Sequence, residues 1–171
     1  MKTLSMIILL FIVPIVVKGQ NYKALDEKYG FREAKFGMPF HSFKKLVMSY
    51  DQYIDSLYEV TDADLHIGDY TLDKISYKFY KGQLYLIKII VNKDYINTLG
   101  IIKVLEKAYG KANWPRNDYC EWKGEKVTMT FCFIKEVPSC IILKSNKMDM
   151  DMLKEFESKQ QQKLENAAKK L

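Results

Sequence analysis

Few residues in this chain have the chemistry for catalysis or metal binding. They are Cys120, Cys132 and Cys140, the two histidines His41 and His66, and an acidic stretch, Asp62-Ala63-Asp64-Leu65-His66. A cysteine nucleophile needs an imidazole or another base beside it. All three cysteines instead sit in or next to apolar, strand-like runs, where thiols pack as small hydrophobes and stay inert. No two of them have the C-x-x-C spacing of a metal or redox pair. A bridge is the other outcome. Folding the chain about Glu136 sets Cys132 opposite Cys140, and opposed residues of an antiparallel pair bring their β-carbons to about 5 Å, close to disulfide geometry. Folding it one residue differently sets Cys140 against Phe133, and no bridge forms. Cys120 falls near Met129 and is expected to remain a buried thiol.

The acidic stretch invites comparison with a calcium loop. With Asp62 at position 1, Asp64 and Asp73 fall at positions 3 and 12. The sharp turn at position 6 requires Gly, and Ile67 stands there. The stretch therefore reads as a solvated loop beside an edge strand. The sequence holds no G-x-S-x-G elbow, no phosphate-cradling Gly loop and no H-E-x-x-H pair. Asp149 and Asp151 stand where a helix start would use them as caps. The expectation is a non-enzymatic protein with no cofactor and no metal.

Aromatic residues are plentiful: 12 Tyr, 9 Phe and 2 Trp. Tyr77, Tyr85 and Trp122 fall on strands, and Trp114 and Arg116 in a Trp-Pro-Arg loop. Such side chains give large, rigid contact area with a polar handle and dominate protein interfaces. An antiparallel sheet covered by helices on one face leaves its other face wet or occupied. These five residues are the candidate binding set. The competing reading places the same rings in a core and its rim, and the sequence leaves both open.

The elements that would position them follow from periodicity. Gln20 to Lys28 reads as a polar lead-in and Phe31 to Gly37 as a short first strand. Pro39 suits the first position of a helix, and Phe40, Phe43, Leu46, Val47 and Tyr50 recur at helical spacing, which predicts a helix from Pro39 to Ser49. A strand is expected at Leu57–Thr61 or Leu65–Ile67. Lys74–Tyr80 and Leu84–Val91 flank a Lys81-Gly82-Gln83 turn, and the second of these is the most β-prone run in the chain. Asp94 or Asn97 caps a helix with Leu99, Ile102, Leu105 and Tyr109 on one face and Gly110 as its stop. Tyr119–Trp122, a Lys123-Gly124-Glu125 turn and Val127–Phe133 then form a hairpin, and Val127, Met129, Phe131 and Phe133 alternate with polar neighbours. After a Val137-Pro138 turn, Cys140–Lys144 is the last strand. Asp149 or Asp151 opens a final helix with a thin stripe of Leu153, Phe156, Gln160, Leu164, Ala167 and Leu171. The two aromatic-Lys-Gly turns, at Tyr80 and Trp122, suggest a helix–hairpin–strand unit used twice. The predicted fold class is α+β: an antiparallel sheet with helices packed on one face and a long C-terminal helix.

The ends and the charge place this domain. Lys2 precedes an apolar run from Met6 to Val17, the pattern of a secretory signal peptide, and the run is shorter than the roughly 20 residues a spanning helix needs. Cleavage is expected after Gly19. The expected organisation is a signal peptide over 1–19, an α+β domain over 20–148, and a C-terminal helix over 149–171 partly packed on it. Without Lys2 and Lys18, 25 basic residues face 21 acidic ones, a net charge near +4. That mild, mixed balance is unlike the basic stripe of a nucleic-acid binder. The expected location is exported, either periplasmic or secreted.

Lys35-Phe36-Gly37-Met38, Tyr109-Gly110-Lys111 and Trp122 resemble small exported bacterial proteins of uncharacterised family. At the fold level they resemble the superfamily of β-lactamase-inhibitor proteins and the small lipoprotein of the outer-membrane assembly machine. The lipid-bearing cysteine of that lipoprotein has no counterpart here. The resemblance implies a binding or scaffolding module of the cell envelope and transfers no functional residue. A protein partner, no nucleic acid, membrane contact only through the signal peptide, and a monomer or weak homo-oligomer are expected. The alternatives are an inhibitor or immunity-type protein using a plug around Trp114-Pro115-Arg116, and a small thiol-dependent enzyme using Cys120 or Cys132.

Overall fold

The computed structural model describes residues 22–49, 56–133 and 138–169. In chain order they form helix α1 (Tyr22–Lys28), strands β1 (Gly30–Phe31) and β2 (Ala34–Lys35), a 3-10 turn over Phe40–Ser42, and strands β3 (Leu46–Ser49), β4 (Leu57–Val60), β5 (His66–Ile67), β6 (Tyr70–Tyr80) and β7 (Gln83–Val91). Helix α2 (Tyr95–Tyr109), strands β8 (Asn113–Arg116), β9 (Tyr119–Lys123), β10 (Val127–Cys132) and β11 (Cys140–Ser145), and helix α3 (Asn146–Ala168) complete the described chain. The main sheet runs β3-β4-β6-β7-β11-β10-β9-β8, with β5 paired to β6. Every pairing in it is antiparallel, so the fold is α+β with a long C-terminal helix. The expected leader over 1–19, Glu136 and Val137 at the last hairpin, and Lys170 and Leu171 at the end lie outside the described residues. No helix among the described residues is long and apolar enough to cross a membrane.

Strand parity decides what the sheet buries. Ile87, Ile89 and Val91 on β7, Val127, Met129 and Phe131 on β10, Ile141 and Leu143 on β11, and Cys120 and Trp122 on β9 all point to one face. There they meet Ile101, Ile102, Leu105 and Tyr109 of α2 and Leu25 of α1. Helix α2 starts where the Asp94 carboxylate accepts the Asn97 N–H at 2.7 Å, and it stops at Gly110, whose φ is 79°. The other face carries Lys74, Ser76, Lys88, Thr128, Thr130, Cys132, Cys140 and Lys144. Helix α3 leaves from that second face: Thr128 Oγ1 donates to Asn146 Oδ1 at 2.7 Å, Lys144 pairs with Asp149, and Tyr80 donates to Glu155. Helices α1 and α2 thus share one face, while α3 is tethered to the opposite one and buries none of its residues. It begins at Asn146, three residues before the expected Asp149.

Three further expectations change. The helix predicted from Pro39 to Ser49 is a single 3-10 turn followed by β3. Pro39 bridges Gln83, Phe40 N–H donates to Gly82 O at 2.8 Å, and Lys45 takes a left-handed φ of 57°, which ends any helix there. The polar lead-in is instead helix α1. The duplicated unit loses its first helix, and its two turns differ. Lys81 and Gly82, with φ of 50° and 75°, make the two-residue turn that matches strand twist. The loop after Lys123 is held from outside, by Asp26 of α1, whose carboxylate accepts the N–H groups of Glu125, Lys126 and Val127.

Candidate functional site

The five sequence-predicted binding residues divide sharply. Trp122 is 1% exposed and its indole Nε1 donates to Gly110 O at 2.8 Å, tying β9 to the end of α2. Tyr77 is 7% exposed within the core, and burial pushes its hydroxyl pKa up. Tyr85 is 2% exposed. It is the extra residue of a β-bulge, since Lys78 pairs Leu86 while Phe79 pairs Leu84. Its ring meets Tyr80 edge-on, and its hydroxyl is pushed up to about 12 by burial and by Asp149. Tyr77 and Trp122 lie in the core and Tyr85 is buried outside it, so the expected aromatic platform does not form around them. Trp114 and Arg116 are exposed together on β8. Trp114 stacks on Phe133 at 5.5 Å, and Arg116 pairs with Asp118 at 3.0 Å.

The sheet's exposed apolar surface lies at its other end. Strand β3 is the terminal strand beyond β4, and its Val47 and Met48 are 46% and 62% exposed. Its hydrogen-bonding phase follows from one bond: Thr61 N–H donates to Lys45 O, and those two residues continue the β3–β4 register. Paired residues in an antiparallel ladder alternate between those that exchange backbone hydrogen bonds and those that do not. Val47 and Ser49 therefore bond to β4, and the N–H and C=O of Leu46 and Met48 point away from the sheet. Among the described residues nothing pairs with them. Behind this edge stands a ring cluster on the core face. Phe40 meets Tyr58 at 5.0 Å and Phe79 at 4.9 Å, and Phe43 meets Tyr77 and Phe79 at 5.3 Å. Phe40 is itself partly exposed. The apolar spacing from Phe40 to Val47, helical in period, is split between the ring cluster and a strand.

The opposite edge is closed to the same use. In β8 the second central residue is Pro115, which has no N–H to give, and the β8–β9 register breaks between Asn113 and Arg116. Proline and register breaks are the usual means by which an edge strand avoids further pairing.

Cys132 and Cys140 are opposed in the β10–β11 register, as one of the two sequence registers requires, and Cys120 lies opposite Phe131. Both opposed residues are thiols here, with Cys140 buried and Cys132 half-buried. The hydrogen bond from Cys140 holds the Cys132 thiol down to about 7, against the opposing effects of burial and Asp118 and with help from Lys88. Burial pushes the Cys120 thiol up to about 12. The acidic stretch is dispersed among protein partners. Asp62 pairs with Lys45, Asp64 with Arg32 and His66, and Asp73 accepts from Asn92 at 2.9 Å. His41 lies exposed on the 3-10 turn, which docks at the Gln83 end of β7, whereas Cys140 pairs with Ile90 at the other end. Among the described residues no three ligating side chains converge on a metal position.

The TP0088 domain family matches this chain over residues 29–133, from the end of α1 to the end of β10. Neither the curated proteins nor the solved structures give a match to it.

Proposed function

This chain belongs to the TP0088 domain family, and we propose that it is a non-enzymatic binding module of the cell envelope whose β3 edge takes an extended segment of a partner protein as an added strand. The observation that carries this reading is the outward row of Leu46 and Met48 backbone groups beside the exposed Val47 and Met48 side chains. Strand addition draws its affinity from main-chain hydrogen bonds and its selectivity from alternate side chains. Here Met48 lies on the core face next to Tyr58, and Val47 on the other face next to Glu59. A partner strand would set its own alternating side chains against these two. The matching segment is apolar at alternate positions, with at least two N–H and C=O pairs in register with Leu46 and Met48. The secretory pattern at residues 2–17 supports an exported, periplasmic or secreted setting.

An inhibitor-type reading is favoured by one separate observation: Trp114, 49% exposed, and Arg116 stand together on β8. A photo-cross-linking amino acid at Val47, and another at Trp114, separates the two in the native host. The β3 reading predicts a discrete protein adduct from position 47, mapping to one extended peptide of the partner. An adduct from position 114 alone would favour the inhibitor reading and overturn the proposal.

A further inference from the structure

We propose that Cys132 and Cys140 form a reversible dithiol–disulfide couple that exchanges with small-molecule disulfides, with Cys132 as the attacking sulfur and Cys140 as the resolving one. The geometry assigns the roles. The two residues are directly opposed across β10 and β11, on the sheet face away from the core cluster. Cys132 is half-buried, whereas Cys140 beside it is buried. The same hairpin fixes their hydrogen-bonding phase. Asn146 N–H donates to Lys126 O at 2.9 Å, one step beyond the Val127–Ser145 pair. Alternation from that bond makes Cys132 and Cys140 a pair that exchanges backbone hydrogen bonds.

That phase sets the character of the bridge. Hydrogen-bonded pairs keep their α-carbons about 5.5 Å apart, farther than the non-bonded pairs whose side chains come closest. A disulfide needs its β-carbons at about 3.8 Å. The α-carbon separation itself lies in the disulfide range, but the β-carbons of such a pair stand at about 5 Å, so closing the bond must draw the two side chains together by roughly 1 Å, and a bridge formed against such resistance is an easily reduced one. In the reduced form a Cys140 S–H donated to Cys132 stabilises the thiolate that attacks. The other groups facing Cys132 are Lys88 on β7, which favours the thiolate, Asp118 before β9, which opposes it, and Tyr119, its partner on β9. Arg116 stands beside Tyr119 in the same row but is drawn to Asp118.

The exchange balances with oxidised glutathione as the oxidant. The Cys132 thiolate attacks one glutathione sulfur, the S–S bond breaks, and a glutathione thiolate leaves and takes up a proton from solvent. Cys140 then loses its proton to solvent and attacks Cys132 Sγ. The second glutathione leaves as a thiolate, and the protein holds one S–S bond. Two protein thiols have been oxidised and one glutathione disulfide reduced to two thiols. Reduced glutathione runs the sequence backwards.

The test uses the purified full-length protein with oxidised and then reduced glutathione, followed by mass and thiol titration. The expected result is loss of two thiols without retained glutathione, and their full return on reduction. Cys140→Ser should stop at a glutathione adduct on Cys132, and Cys132→Ser should form neither adduct nor bridge. Iodoacetamide should modify Cys132 with a rate inflecting near pH 7, moving toward about 8.5 in Cys140→Ala, which has no donor at that position, while Cys120 stays unmodified in the folded protein. Retention of all three thiols, a bridge that reduced glutathione leaves intact, or attack by Cys140 in Cys132→Ser would each overturn the proposal.

Discussion

The Asp26 carboxylate occupies the space into which a side chain at Gly124 would grow, and from there accepts the N–H groups of Glu125, Lys126 and Val127 at 2.8, 2.9 and 3.0 Å. One side chain of α1 thereby orders the loop between β9 and β10, nearly a hundred residues away. Asp26→Ala removes a charged acceptor from three donors and is expected to cost about 2–3 kcal/mol in urea unfolding. Gly124→Ala should also destabilise, by driving Asp26 out. The double variant should lose less than the two single losses added together, because the clash needs Asp26 to be present.

The two tryptophans should behave oppositely. Trp122→Ala empties a core position and breaks the bond to Gly110, an expected loss of about 3–5 kcal/mol. Trp114→Ala removes an exposed ring from Phe133 and should cost about 1 kcal/mol or less. Iodide should quench the fluorescence of Trp114 in the folded protein and leave that of Trp122 unchanged.

Acid should loosen α3. Glu155 is held down to about 2 by hydrogen bonds from Lys159, Lys81 and Tyr80, in that order of effect. Lys81 is raised in turn, first by Glu155. A carboxylate whose pKa falls on folding stabilises the fold above its ordinary value of 4.5, and the effect disappears as pH falls through the folded value. The tether between α3 and the β6–β7 turn is therefore whole above about pH 4.5 and lost on acidification toward pH 2. Lys81 and Lys159 are largely exposed, so salt should weaken the tether as well. Carboxyl NMR of Glu155 should give the low midpoint, and amide protection factors in the first turns of α3 should fall over the same range.

What was legible in the sequence was parity. Val127 to Phe131 alternate cleanly, and that alternation fixes the buried face, whereas the opposition of Cys132 to Cys140 is one of two registers the sequence leaves open and is selected by the β10–β11 pairing. The α2 boundaries were legible because Asp94 and Gly110 are local devices. The stretch from Phe40 to Ser49 was not, because its apolar spacing fits a helix as well as it fits rings that pack on Tyr58, Tyr77 and Phe79. Only the bridge of Pro39 to Gln83, a long-range contact, decides between them. Helix α1 gave little signal, since it is anchored chiefly by Leu25. Tyr85 misled for a comparable reason. A bulge shifts the face on which it lies, and nothing adjacent in sequence announces it. The candidate edge has no local sequence signal, since an edge is defined only by the strand order.

Amide hydrogen exchange at β3 tests the central claim most directly, with Met48→Pro as the paired variant. The Met48 N–H points away from β4, so proline there leaves the ladder to β4 intact while removing a donor from the open edge. In the free protein Val47 and Ser49 amides should be protected, and Leu46 and Met48 amides should exchange quickly. With the cross-linked partner segment added as a peptide, Leu46 and Met48 should become protected, and Met48→Pro should abolish binding at unchanged stability. Leu46 and Met48 amides that stay fast while the peptide is bound, or full binding by Met48→Pro, would contradict the account.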